Sequence, residues 1–213
     1  THNATVRNVV FSSDGQRLAT ASNDKTARIW DTASGCQLAR LAHADSVWSV
    51  VFSPDGQRLA TASNDRTAGV WDEASGRELA RLNHAGSVWN VTFSPDGQRL
   101  ATASYDKTAR VWNVTSGHEL ARLIHADSVR DAVFSPDGQR LVTASVDKMV
   151  RVWDAMSSRQ MIHGRTVQSA VFSPDGQRLF TIAEFENMAR LWDAGSGREL
   201  AWLVHADLVR DAV

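Results

Sequence analysis

The chain repeats itself every 41 residues, and that period decides what it can fold into. Phe11, Phe52, Phe93, Phe134 and Phe172 each open a run of the form F-S-[S/P]-D-G-Q-R-L, at steps of 41, 41, 41 and 38 residues. Trp30, Trp71, Trp112, Trp153 and Trp192 each close a run of the type A-R-[I/V/L]-W. A histidine marks each unit boundary: His2, His43, His84, His125, His163 and His205. Units therefore run over about 2–42, 43–83, 84–124, 125–162 and 163–204, with a partial sixth at 205–213. Self-similarity of this length, with several strand-like runs per unit, belongs to repeat architectures, in which one unit cannot bury its own apolar faces. It predicts a single array over residues 1–213 and argues against an ordinary globular domain.

The second unit shows what each repeat forms. Val47 to Phe52 is rich in β-branched and aromatic residues and reads as a strand. In Ser53-Pro54-Asp55-Gly56, proline presets φ and glycine takes a positive φ, which makes a tight hairpin. Arg58 to Ser63 alternates as a second strand. Asn64-Asp65-Arg66 turns the chain, Thr67 to Trp71 forms a third strand, Ala74-Ser75-Gly76 turns again, and Glu78 to Leu82 supplies a fourth. The unit is a four-stranded antiparallel meander, apolar on both faces. Stacking such sheets radially buries both faces, which is the logic of a β-propeller. Helical solenoids are excluded, because no unit holds a 3.6-residue apolar period beyond one turn.

The boundary His, the F-S-P-D-G turn, the A-S-x-D turn and the closing Trp-Asp resemble the WD-repeat family of β-propellers. The resemblance covers essentially the whole chain. Two features depart from it. The residue before the His, usually Gly, is Ala42, Asn83, Ile124, Ile162 or Val204. The Trp-Asp pair becomes Trp112-Asn113 in the third unit. The resemblance implies an all-β propeller, here five blades and one extra strand. It implies seven blades as the commonest closure, roughly 290 residues of such units. The chain then reads as a portion of a longer array, or as a half that closes against another copy. A naturally small propeller with a spare terminal strand is the plainer alternative. Two irregularities are expected: a short outer strand at Arg159 to Ile162, and a distorted turn at Glu184-Phe185-Glu186-Asn187.

Composition narrows the function. With 23 basic and 24 acidic residues the net charge is −1, which offers no electrostatic case for nucleic acid or an anionic membrane. No apolar stretch approaches the ~18–20 residues that span a bilayer. The first residues carry no secretory hydrophobic segment, although a chain opening on Thr1 is compatible with an upstream segment. A single cysteine, Cys36, rules out an internal disulfide and cysteine-based zinc sites, and points to a reducing, cytoplasmic setting. Histidines 41 residues apart lack metal-ligand spacing. No glycine-rich phosphate loop occurs, because the glycines are scattered singly and most belong to D-G or S-G turns. No cofactor is expected.

Each regular unit also offers a hydroxyl, an imidazole and a carboxylate, the parts of a nucleophilic triad: His43, Ser63 and Asp65 in the second. The set recurs as His2/Ser22/Asp24, His84/Ser104/Asp106 and His125/Ser145/Asp147. A reaction needs one preorganised site, whereas a fold stabiliser appears in every unit. The resemblance implies a buried network in which Asp accepts from His, His meets a hydroxyl, and the hydroxyl meets the Trp indole. Thr61 and Ser63 both remain candidates for that hydroxyl. No enzymatic activity is expected.

If recurrence marks scaffold, variation marks function. Units two and three agree at 30 of 41 positions. Directly after the first Val of the inner strand, however, stand Arg7, Trp48, Trp89, Arg130, Gln168 and Arg210. The resemblance places this series at the mouth of the central channel, on the face of the His-bearing loops, with Tyr105 beside it. Trp, Tyr and Arg dominate binding hot spots. Trp48 and Trp89, if exposed, make an aromatic patch on adjacent blades, and Arg7, Arg130 and Arg210 suit a carboxylate or phosphate. The plain alternative packs the Trp rings over their neighbours and pairs the arginines with Asp131 and Asp211.

The expected function is a non-catalytic scaffold for a protein or peptide ligand, with self-association as a route to closing the ring. By resemblance, near-identical repeats of this kind belong to arrays that act as sensors in bacterial and fungal multidomain signalling proteins. A designed or amplified repeat with only a structural or assembly role is the alternative. An enzyme would need a non-repeating constellation, and Glu184 and Glu186 are the acids that stand outside the repeat.

Overall fold

In the first unit, β1 (Val6–Phe11), β2 (Arg17–Ser22), β3 (Thr26–Asp31) and β4 (Gln37–Ala42) pair in sequence order as an antiparallel sheet. The computed structural model repeats this sheet over residues 47–83, 88–124, 129–162 and 167–204, giving five four-stranded blades. It describes residues 1–154, 158–162, 165–183 and 188–204. No helix occurs among them. His163, the turn at 184–187 and the partial sixth unit at 205–213 lie outside the described residues.

Turn chemistry sets each meander. Gly56 stands at φ +70, its N–H donates to Ser53 O (2.9 Å), and the Ser53 hydroxyl donates to Asp55 (2.5 Å). At the far end of the sheet Asp72 caps the third turn through Ser75 N (2.9 Å) and Ser75 Oγ (2.5 Å). Asn113 replaces that aspartate in blade three and still accepts from Ser116 N at 2.8 Å, so the lost charge leaves the turn intact. The outer strand of blade four, Ser158–Ile162, has five residues where the others have six.

First strands of successive blades approach one another, and fourth strands face outward. Between blades lies the core. Ala19, Ala21, Ala27, Ile29 and Leu41 on the trailing face of blade one pack on Val47, Val50, Phe52, Leu59 and Trp71 on the leading face of blade two. The same joint recurs between blades two and three, three and four, and four and five. Small Ala residues in the second strand let the next blade's Phe and Trp approach closely. Two joints add an arginine latch. Arg99 donates to Gly138 O (2.8 Å) and covers Phe134, and Arg140 donates to Gly176 O (2.7 Å) and covers Phe172.

Candidate functional site

The recurrent polar set is a buried tie within blades one to four. In blade two the Trp71 indole donates to Thr61 Oγ1 (2.8 Å), Thr61 meets His43 Nε2 (2.8 Å), and His43 Nδ1 meets Asp65 (2.9 Å). Blades one and three repeat it through Thr20 and Thr102. Ser63, the other candidate hydroxyl, instead donates to Ser46 O (3.0 Å) and accepts from Asp65 N (3.1 Å). Thr61 is wholly buried and committed to two partners, so its hydroxyl is used inside the blade.

The electrostatics follow from burial and bonding. Burial alone raises the Asp65 pKa, but bonds from His43, Thr67 and the Ala44 N–H outweigh it and hold the carboxyl well below the usual range. Asp106 behaves in the same way through His84 and Thr108. Burial pushes the His84 imidazole down, against the pull of Asp106. In blade four, burial and the adjacent Arg151 guanidinium push His125 down to about 4.

The variable series occupies a special backbone position. In blade one the pairing of β1 with β2 jumps from Val6 to Asn8, which leaves Arg7 as the extra residue of a β-bulge. The jump recurs around Trp48 (Val47 to Ser49), Trp89 (Val88 to Asn90), Arg130 (Val129 to Asp131) and Gln168 (Val167 to Ser169). A bulged residue has no partner opposite it in the ladder, and the local kink re-aims its side chain. The bulge also lets Val47 and Val50, three apart, both point into the joint beneath.

These five bulged residues, one from each blade, line one cavity of about 360 Å³. Four of them form two facing pairs, with Gln168 beside them. The Arg7 guanidinium lies 4.7 Å from the Trp48 ring centroid, and that of Arg130 lies 3.7 Å from the Trp89 ring. Arg7 Nε donates to Asn23 Oδ1 (2.9 Å) in the neighbouring turn. Tyr105 packs edge-on against Trp89, centroids 5.7 Å apart, and is itself exposed without lining the cavity. Arg210 lies outside the described residues.

The expectation of exposed Trp48 and Trp89 needs correction, because both rings are half-buried beneath the guanidinium groups. Trp48 Nε1 is buried with no hydrogen-bond partner among the described residues. Asp131 accepts from the backbone N–H of Ala132 (2.9 Å) and, across the joint, of Ala170 (3.1 Å). Asn8 makes the corresponding cross-blade bond to Val50 N (3.0 Å). The positions flanking the bulge therefore stitch blades together while the bulge itself faces the cavity.

Sequence reasoning missed Glu73. Only the second unit has an acid there, buried and ion-paired with Arg17 of the preceding blade. Thr32, Val114 and Ala194 hold the equivalent place, so the departure from the repeat was a readable signal.

Comparison with known proteins bears on these geometries. A family described as "WD domain, G-beta repeat" matches residues 1–31, 35–72, 76–113 and 117–154. The vegetative incompatibility protein HET-E-1 of Podospora anserina is 62% identical over 34 residues. That stretch is 16% of this chain and 2% of the fungal protein's length. No helix among the described residues is long and apolar enough to cross a membrane.

Proposed function

The chain belongs to the WD-repeat family, and on that premise we propose that it is a non-catalytic scaffold that captures an anionic segment of a protein or peptide at its channel mouth. Families of this kind act generally as protein-interaction scaffolds, and the finer reading rests on the bulge. One observation carries it: the series that departs from the repeat is the series freed from ladder pairing, and its five described members line one cavity.

The chemistry of that lining suits a carboxylate beside an apolar side chain. Two guanidinium groups and two indoles contribute, and no acid is among the described lining residues. A guanidinium held flat on an indole keeps its charge and its directional N–H edge. Indole and guanidinium surfaces lose little side-chain freedom on binding when they are already stacked, which favours affinity.

The test is selection from a random peptide library against the wild-type chain, followed by binding to a triple variant, Trp48→Ala, Trp89→Ala and Arg130→Ala. Enriched peptides carrying Asp or Glu next to an apolar residue, which fail to bind a variant with unchanged circular dichroism, are the expected result. Peptides that bind wild type and variant equally, or no enrichment at all, would overturn the proposal. The second outcome favours a purely structural role.

A further inference from the structure

We propose that Lys25, Arg66, Lys107 and Lys148 form a basic collar around the channel mouth that draws an acidic polypeptide onto it, an inference that rests on the mouth reading for the face where capture occurs. Each of the four ends the turn between the second and third strands of its blade, and each is exposed. These turns stand at the same end of the sheets as the bulged series: Arg7 Nε donates to Asn23 Oδ1 (2.9 Å), two residues before Lys25. All four adopt a positive φ, at +68, +72, +68 and +70. That region crowds any side chain with a Cβ, and glycine enters it freely. The other nine positive-φ positions among the described residues are glycine. The backbone accounts for the conformation, because the carbonyls of Lys25, Arg66 and Lys107 accept the N–H groups of His43, His84 and His125, each at 2.9 Å. It does not account for the cation, since glycine would serve the same bond with less strain. Strain that the fold does not require points to function.

A net charge near zero hides the excess, because the charges are sorted. The acids of the buried ties are matched by arginines of their own blades: Asp24 by Arg28 (2.9 Å), Asp106 by Arg110 (2.8 Å), Asp147 by Arg151 (2.7 Å) and, more loosely, Asp65 by Arg81 (4.0 Å). At the opposite end of the sheets, turn aspartates such as Asp55 are followed three residues on by arginines such as Arg58, so the signs alternate there. Around the mouth the four collar residues join Arg7 and Arg130, and set against these cations are Asp45, Asp127 and the buried Asp131. The Ser46 N–H, Asn64 and then the charge of Lys25 hold Asp45 below the usual carboxylate range, so that acid offsets one cation. Lys107 spends one N–H on Ala126 O (3.1 Å). None of the four forms an ion pair among the described residues. Charge of one sign around a concave site concentrates the opposite charge and speeds encounter. The interspersed aspartates favour a polypeptide over a nucleic acid: a phosphodiester backbone carries a charge at every residue and meets Asp45 and Asp127 too, whereas a polypeptide can space its acids.

The test combines Lys25→Asn, Arg66→Asn, Lys107→Asn and Lys148→Asn and measures capture by immobilised poly-L-glutamate as ionic strength rises. The wild-type chain should be captured at low salt, the variant about tenfold or more slowly, and the gap should close in high salt. The variant's melting temperature should be unchanged or higher, because asparagine tolerates the positive φ better than lysine or arginine. Lys25→Asn and Arg66→Asn alone should each show part of the slowing. Equal capture rates, or a lowered melting temperature, would overturn the proposal, as would poly-uridylate captured as fast as poly-L-glutamate. A wild-type chain that ignores poly-L-glutamate at low salt also overturns the collar, even where library peptides bind the mouth. Collar-dependent capture without any enriched library peptide leaves the collar standing and removes the mouth reading.

Discussion

Replacing Thr61 with Val tests whether the buried tie holds its blade. The exchange keeps the branched shape and removes the hydroxyl. It leaves the Trp71 indole N–H and the His43 Nε2 without their partner, in a place where Thr61 itself has no exposure. His43 cannot recover by switching tautomer, because its Nδ1–H is held by Asp65 at 2.9 Å. A buried polar group left unmade costs about 1–3 kcal/mol, so two cost about 2–6 kcal/mol before relaxation. We expect a net loss of about 3 kcal/mol, a large part of the ~5–15 kcal/mol that stabilises a typical fold. In a repeat protein each unit touches only its neighbours, so the damage should be local. Hydrogen exchange read by mass spectrometry should show peptides from residues 43–83 losing protection about a hundredfold, with those from 129–154 little changed. Ser63→Ala should cost less, about 1 kcal/mol, because it removes turn bonds and leaves the tie intact. A Thr61→Val cost below about 1 kcal/mol, with protection in 43–83 unaltered, would refute the reasoning.

Blade four should be the most acid-sensitive, with blade three following in the same direction through His84. The folded pKa of His125, about 4, lies below its ordinary 6.5, so the unfolded chain takes up the proton first. Its contribution is complete above pH 6.5 and disappears as pH falls from 6.5 to about 4, a span worth on the order of 3 kcal/mol. Depressed carboxylates such as Asp65 and Asp106 also favour the folded state at higher pH, but they act below the ordinary 3.8. Thermal midpoints measured between pH 7 and 4 should therefore fall, and His125→Gln should flatten the slope. An unchanged slope would contradict the assignment. At the Arg17–Glu73 pair, Glu73→Val should be neutral or stabilising, because Val114 already fills that place in blade three, buried. Arg17→Ala should instead cost about 1–3 kcal/mol by stranding a buried carboxylate, discounted because Arg17 is partly exposed. Urea midpoints of the two variants decide, and the reverse order would refute the argument.

The strands were legible because turn residues punctuate them. Val47–Phe52 and Arg58–Ser63 fold over the ranges their composition indicates, and the third and fourth strands of that unit each extend one residue further. The choice between Thr61 and Ser63 was not legible. The two lie on one face of one strand, and only the reach of the Trp71 and His43 rings separates them. The bulge left a trace that alternation alone misreads. Val47 and Val50 cannot share a face in a regular strand, so their common burial requires one inserted residue between them. The burial of Trp48 and Trp89 was hidden for another reason: what covers them comes from an adjacent blade, 41 residues away, and no single unit contains that contact.

The bulge also explains why near-identical repeats can present a varied surface. Within a blade, a change at Thr61 or Leu59 disturbs the hydrogen-bonded tie or the joint, so those places repeat. The bulged residue has no cross-strand partner, and its neighbours on either side, such as Val47 and Ser49, resume the ladder without it. Exchange at that place therefore alters the cavity lining while the ladder and the joint stay as they are. Arg7 facing Trp48, and Arg130 facing Trp89, show the same two residue types used in opposite order along the chain. Blade one contributes the cation to the first pair, and blade four contributes it to the second. Over the first four units the two cations thus flank the two indoles, a pattern that requires four units in sequence and that no single unit encodes.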